Sequence, residues 1–494
     1  MQKLKTIPFF LVLLALFFCL HGSAENFGSL TVKEVVLTGF SVLGVTLVLF
    51  GIVYLFSRKY LFAALIAFFI ALWYFFFGAI HDFIKSFSLL SFLRSYSIIL
   101  SVLFIATVLW IIFLKKKPNL WQKLTLYLNI LLLIYCVLDL SKIGYLAVSK
   151  QKPTSPDTFN YAAVKQKPDV YFLLFDGYPG QKSLKDSFAF DNTQFVNFMD
   201  SNGFVSLPIT SNYDLTVFSM ASTLNMDYIK GGWNLPKPDQ KDVQKRSNEI
   251  KEAAVFSYFS KMGYSIDNNS IFDIQNTPGI SDRNSFLLGH SVVLTDKILI
   301  NRINRDLGAS LPEWLTKKMP FLHDQSYYRH RQDNNNIAAK LLATAEKPKS
   351  KAPVFSYSHF LLPHGPYYYD STGKETSFEI MNAYASWEKR PDFISYVKYT
   401  NTVAEKMLTA LRRDKPNAII IVMSDHGFRY YNNEIYFQPA RFNNICWVYF
   451  PDKNYGAAKD NITSVNFYRY LFNNQFGQNM KYLRDTCIGL NYEH

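Results

Sequence analysis

Asp176 closes the run DVYFLLFDGYPG (169–180), Thr216 stands in SNYDLTVFSMASTLN (211–225), and the pair Asp425-His426 closes AIIIVMSDHG (418–427). In each carboxylate segment at least four apolar, strand-forming residues precede the polar group and a glycine follows it. Strands of an α/β sheet gather such terminal groups at their carboxyl ends, where ligands bind. Two carboxylates and an imidazole are oxygen and nitrogen donors for a divalent ion. A hydroxyl beside such an ion is a latent nucleophile. The combination points to an enzyme.

Each residue also has a plainer reading. Asp176 before Gly177 could simply form a turn. Asp425-His426-Gly427 is more specific, because adjacent oxygen and nitrogen donors precede a glycine that would let the backbone turn closely around an ion. Thr216 opens TVFSMASTLNM, which can form a helix, and a helix start favours a phosphoryl group or developing oxyanion. Without the metal segments it would be an ordinary N-cap. In HFLLPHGPYYYD (359–370), His364 lies between two prolines and is expected on a loop, able to donate a proton or hold a phosphate. His359 reads either as a group behind the ligands or as a core histidine, and Tyr367, Tyr368 and Tyr369 read as packing residues.

The elements that must position these groups divide the 494 residues in two. Five apolar segments, at about 7–21, 35–57, 61–80, 96–114 and 124–147, approach the ~20 residues needed to span a bilayer. The first is short and ends in HGSAEN, which resembles a signal-peptidase site. Its retention is favoured because four more spans follow. The chain carries 52 Lys+Arg against 38 Asp+Glu. Within residues 1–150 the numbers are 13 and 4, so much of the basicity flanks the spans and nucleic-acid binding is not expected. Lys3 and Lys5, then Arg58 and Lys59, then Lys115, Lys116, Lys117 and Lys123 all fall on one side of a five-span arrangement. By the positive-inside rule that side is cytoplasmic and the C-terminal domain is external. Residues 1–147 are thus read as a five-helix transmembrane region, 148–168 as a polar, proline-bearing linker, and 169–494 as an extracytoplasmic domain.

In that domain VYFLLF, VFSYSHFL, AIIIVM and ICWVYF read as strands. SFAFDNTQFVNFMDSNG, NNIAAKLLATAEK and FISYVKYTNTVAEKMLTALRRD read as helices. Their alternation predicts an α/β fold with a mostly parallel sheet covered by helices. Of the four cysteines, Cys19 and Cys136 lie in apolar helices. Cys446 and Cys487 lack metal-finger spacing and could pair on an oxidising side of the membrane.

These motifs resemble the sulfatase-like branch of the alkaline phosphatase superfamily, and most of all its membrane-anchored lipoteichoic acid synthases and phosphoethanolamine transferases. Those proteins also place an external catalytic domain after five spans. The resemblance implies that Asp176, Thr216, Asp425 and His426 bind metal, zinc or manganese, and that Thr216 is the nucleophile, with Ser219 at the family spacing three positions on. It implies a bacterial inner-membrane enzyme moving a phosphoryl-linked headgroup from a phospholipid-derived donor to an envelope lipid or glycan through a phospho-threonine. A phosphodiesterase of the same fold, or an inactive scaffold, are the alternatives. No Cys-x-Pro-Ser-Arg segment is present, so formylglycine chemistry is not implied. Asp176 stands where the two transferase families usually carry Glu.

Overall fold

The computed structural model describes residues 2–28, 30–149, 159–230, 238, 240–280, 292–307, 326–348, 352–377, 380–381, 387–430, 438–456 and 462–490. Its contacts divide the chain into two compact units, 1–150 with 283–325, and 151–282 with 326–494.

In the first unit the expected apolar segments are helical apart from residues 7–9 and the break at Phe76. Val32–Ser57, Tyr96–Lys116 and Pro118–Ser149 are long and apolar enough to cross a membrane, and Tyr60–Phe75 with Phe77–Lys85 qualifies as one span bent by 57°. Phe10–Glu25 has 16 residues, about 24 Å at 1.5 Å per residue. Thr31 and Glu34 form a reciprocal capping box that starts Val32–Ser57, satisfying two amides that the helix cannot satisfy itself. Asn129 reaches from the last span to the backbone around Pro8. It accepts from the Phe10 N–H at 2.7 Å and donates to the Leu4 and Ile7 carbonyls at 2.8 Å. Apolar helices at the N-terminus fit membrane anchoring.

The second unit is built on a six-stranded sheet of order β2-β7-β6-β1-β5-β4. The strands are β1 Val170–Phe175, β2 Val205–Ser206, β4 Ser265–Asn269, β5 Val354–Phe360, β6 Ile419–Ser424 and β7 Cys446–Tyr449; β3 (Ile209–Thr210) and β8 (Ile462–Thr463) form a separate pair. β4, β5, β1 and β6 run parallel, while β7 and β2 close one edge antiparallel. β1 sits centrally and all six of its residues are buried, which is why its sequence is a continuous apolar run rather than an alternating one.

The pleat sends alternate residues to two cores. Phe172, Leu174, Ile421, Met423 and Tyr357 pack with Met220, Leu224, Phe256 and Phe259. Leu173, Phe175, Ile420, Val422 and Phe360 pack with Met199, Leu341, Val397 and Leu408. Each fully buried aromatic or aliphatic side chain contributes about 1.5–3 kcal/mol, so both faces hold the strand ends in fixed register. Leu174 pairs with His359, and Phe175 with Phe360 and Ser424.

The expected strands appear within one or two residues of their predicted limits. The three expected helices appear as Thr193–Ser201, Ser326–Glu346 and Arg390–Asp414, and Gln181–Phe188 is among the helices that were not expected. The Cys446–Cys487 disulfide is not formed. Cys446 is a buried thiol in β7, and Cys487 is exposed, its Sγ 3.8 Å from the Thr210 hydroxyl.

Candidate metal centre

Asp176, His359 and Asp425 belong to the ends of the three central parallel strands. Residues i and i+2 of a strand share a face, so Asp176 and Asp425 continue the parity of Leu174 and Met423, and His359 pairs with Leu174. All three are in step with the face that also buries the helix Thr216–Asn225 through Met220 and Leu224. Thr216 is the first residue of that helix. Its N-cap is Leu215, without a side-chain cap bond, so the plain N-cap reading of Thr216 does not hold and its hydroxyl faces the strand ends instead.

The carboxylates are held asymmetrically. Asp425 Oδ1 accepts the Gly177 and His426 backbone N–H groups, each at 2.9 Å, while Oδ2 is buried with no hydrogen-bond partner. Asp176 Oδ1 and His359 Nε2 are likewise buried without one. The His359 ring stands 3.4 Å from Asp176 Oδ2, within ion-pair range but not aligned for a hydrogen bond. His426 Nδ1 lies 2.7 Å from the Gly427 carbonyl, to which it donates. Its Nε2 is directed at the carboxylates, 3.2 Å from Asp425 Oδ2 and 3.8 Å from Asp176 Oδ1. Thr216 Oγ1 is 3.3 Å from that Nε2 and 3.4 Å from Asp176 Oδ2.

Buried polar atoms without partners are costly, and here several converge on one point. A divalent ion fits them. Four oxygen and nitrogen ligands at about 2.0–2.1 Å in a tetrahedron lie roughly 3.3 Å from one another, close to the spacings of His426 Nε2 from Thr216 Oγ1 and Asp425 Oδ2 and of Thr216 Oγ1 from Asp176 Oδ2. Ligand atoms of Asp176, His359 and Asp425 also lie within 4.8 Å of one another. The geometry thus brings all four sequence candidates together and adds His359, which is fully buried. His359 thus stands beside the carboxylates. Burial would raise the Asp176 pKa, but His364, then His359 and His426, outweigh it and hold the carboxyl well below the usual range.

Around this centre the second ring of contacts is equally specific. Ser219 Oγ donates to the Asp425 carbonyl at 2.6 Å, so its role is to hold the Asp425 backbone. Gly177, at φ +69°, lets the chain turn beside His426 and His364. Gly427 serves a different purpose from the one expected. A Cβ there would lie 2.7 Å from the Asn443 carbonyl, because residues 440–443 press against it, and its N–H donates to Arg441 O at 2.8 Å. The glycine admits a neighbouring loop rather than a turn around an ion.

His364 lies on a loop, as expected, with Nδ1 2.7 Å from the Gly365 carbonyl and Nε2 3.1 Å from an Arg429 guanidinium nitrogen. Burial lowers its pKa, with Arg429 adding to the effect. A ring that donates through Nδ1 to the Gly365 carbonyl and accepts an Arg429 N–H at Nε2 has no proton to give at Nε2. The geometry favours the phosphate-holding option, with Arg429 as the cation of the pair. The sequence reading missed Arg429, although a cation three residues after His426 was the available signal. Tyr367 and Tyr368 are buried packing residues.

A buried carboxylate–imidazole centre at the carboxyl ends of parallel strands, with a hydroxyl at its rim, defines a divalent-metal-dependent α/β enzyme. The family model described as Sulfatase matches residues 190–458, more than half of the chain, and the chain belongs to this family. No curated protein sequence matches it. Among solved structures, it is similar to the C-terminal periplasmic domain of EcEptC from Escherichia coli in complex with Zn. That match has 13% identity and TM-score 0.38, covering 63% of this chain and 83% of that one. Phosphonate monoester hydrolase SpPMH from Silicibacter pomeroyi gives 12% identity and TM-score 0.40, covering 65% and 75%. A putative sulfatase from Bacteroides thetaiotaomicron gives 13% and 0.38, covering 64% and 72%.

Proposed function

We propose that the protein takes a phosphoryl-linked headgroup from a phospholipid-derived donor and passes it to an envelope lipid or glycan. The observation that carries this reading is the Thr216 hydroxyl at the first turn of its helix, 3.4 Å from Asp176 Oδ2 and 3.3 Å from His426 Nε2. Asp176, Asp425, His426 and Thr216 would hold the ion, with His359 behind Asp176. When bound, a divalent ion lowers the pKa of a hydroxyl and neutralises phosphoryl charge. This mixed oxygen and nitrogen set suits zinc or manganese.

In the first half-reaction Thr216 Oγ1 attacks phosphorus while its proton passes toward Asp176. The phosphorus–oxygen bond to the lipid alcohol breaks, and that alkoxide takes up the proton that left Thr216, so Asp176 ends the step ionised. The headgroup phosphoryl is then an ester of Thr216. The start of the helix at Thr216 favours the phosphoryl charge, while Arg429, braced by His364, supplies charge-assisted donors. In the second half-reaction an acceptor hydroxyl attacks the phospho-threonine, and Thr216 leaves with a proton restored. Water in place of the acceptor would give the phosphodiesterase.

The N-terminal helices would anchor the enzyme in a bacterial inner membrane, with Lys3, Arg58 and Lys115 cytoplasmic and the centre external, facing lipid headgroups. A topology reporter fused after His494 should be active only outside the cytoplasm. The reaction is tested with the full chain in vesicles of headgroup-labelled phosphatidylethanolamine and phosphatidylglycerol plus an envelope lipid extract. Label should move to a lipid or glycan product. Free labelled headgroup phosphate as the only product would establish hydrolysis instead, and no release of either kind would overturn the reading.

A further inference from the structure

Residues 283–325 interrupt the second unit between β4 and the helix Ser326–Glu346, yet they group with the first unit. Their described part carries two short helices, Val292–Thr295 and Leu299–Leu307. Leu294 and Ile298 are buried in the same apolar cluster as Phe18, Phe68 and Phe75 of the span helices. The Gly78 N–H donates to the Lys297 carbonyl at 2.7 Å. A Cβ at Gly78 would stand 2.8 Å from Lys297 Cα, so the two backbones meet directly and Gly78 is the residue that allows it.

Ion pairs fix the same contact. Arg302, only 6% exposed, pairs with Asp82, with Asp306 at 3.3 Å and with Asp296 at 4.0 Å, and Lys297 pairs with Asp82 at 2.8 Å. The Tyr96 hydroxyl donates to Asp306 at 2.6 Å. A buried guanidinium is tolerated only with its partners in place. Apolar burial, backbone contact and buried charge therefore all specify one docked position for this segment.

The chain thus passes from the first unit to the second at 150–151, returns at 282–283 and leaves again at 325–326. Tethering at more than one point narrows the volume a site can sample and raises its effective concentration at a surface-bound substrate. We propose that Val292–Leu307 is a docking strap, and that Gly78, Asp82 and Arg302 are positioning residues that set the reach of the catalytic unit to a lipid-embedded donor. This rests on the phospholipid-donor reading above.

The test uses the full chain in vesicles of labelled phosphatidylethanolamine and phosphatidylglycerol, with bis(4-nitrophenyl) phosphate as soluble substrate. Gly78→Val blocks the backbone approach and leaves every charge in place. Arg302→Ala removes the buried cation, and Arg302→Lys retains its charge. Gly144→Val is the control, since no atom lies within 4 Å of a Cβ there. Gly78→Val and Arg302→Ala should lower vesicle-lipid turnover about tenfold or more and leave soluble-diester turnover within about twofold. Arg302→Lys should restore part of the loss, Gly144→Val should change neither activity, and deuterium uptake by 292–307 should rise in the two damaged variants. Equal losses on both substrates, undiminished lipid turnover, or wild-type 292–307 amides exchanging like unstructured chain would each overturn the strap. If the wild type turns over neither substrate, the functional reading fails, and amide protection of 292–307 alone decides the docking.

Discussion

Thr216→Ala is expected to abolish turnover, by roughly 10⁴-fold or more, the scale on which removing a catalytic nucleophile acts. A secondary hydroxyl is a weak nucleophile at neutral pH and depends on its surroundings to become an alkoxide. Thr216 Oγ1 has Asp176 Oδ2 as its hydrogen-bond acceptor and His426 Nε2 beside it, and alanine removes the only reacting atom. The side chain is partly exposed, so the fold should survive, and Asp176, Asp425 and His426 should retain much of the metal. Thr216→Ser keeps the hydroxyl and should keep measurable activity. His364→Ala should behave differently, slowing the reaction by about 10²–10³-fold, the scale on which loss of a preorganised charge-stabilising donor acts, while metal binding persists, because His364 braces Arg429. Protein trapped with a labelled donor should carry the phosphoryl-headgroup mass on the peptide containing Thr216. Full activity in Thr216→Ala, or an adduct on Ser211, Ser219 or Ser222, would show that another hydroxyl attacks.

The parts of this arrangement that were legible in the sequence are those in which one strand carries its own evidence. β1 and β6 are buried on both faces, so their apolar runs are continuous and the charged residue at each end is conspicuous. Thr216 could be assigned to a helix start because apolar residues follow it at helical spacing. His359 could not be assigned alone. Its meaning depends on β5 lying beside β1 with Leu174 opposite it, and parallel register is set by long crossovers rather than by local sequence. The five-residue edge strand β4, SIDNN, has no apolar run to mark it. Arg429 and the true role of Gly427 both depend on loops folded against the centre, as does the finding that Ser219 holds the Asp425 carbonyl. The insertion carrying Arg302 escaped the reading for a related reason. Its partners Asp82 and Tyr96 lie more than 200 positions earlier in the chain.

Asp425→Asn is expected to separate metal binding from folding. The amide oxygen can take the place of Oδ1 and continue to accept the Gly177 and His426 N–H groups, so the junction of β1 and β6 keeps its hydrogen bonds. The amide nitrogen then replaces Oδ2, the buried oxygen that has no hydrogen-bond partner, and presents N–H donors where a cation requires a lone pair. Loss of a supporting contact behind a ligand already costs about 10–100-fold in metal affinity, and loss of the ligand itself should cost at least as much. Elemental analysis of the purified protein should therefore find about one equivalent or more of a divalent metal in the wild type and little in Asp425→Asn, with matching circular dichroism. Stability supplies an independent readout, because an ion that binds only the native state at 100 times its Kd stabilises it by about 2.7 kcal/mol. A chelator should lower the wild-type Tm and leave that of Asp425→Asn unchanged. Asp425→Ala should lose the metal and also the two backbone hydrogen bonds, and so should melt lower than Asp425→Asn. Full metal content in Asp425→Asn, or a chelator response equal to the wild type, would place the ion elsewhere and remove Thr216 from its coordination.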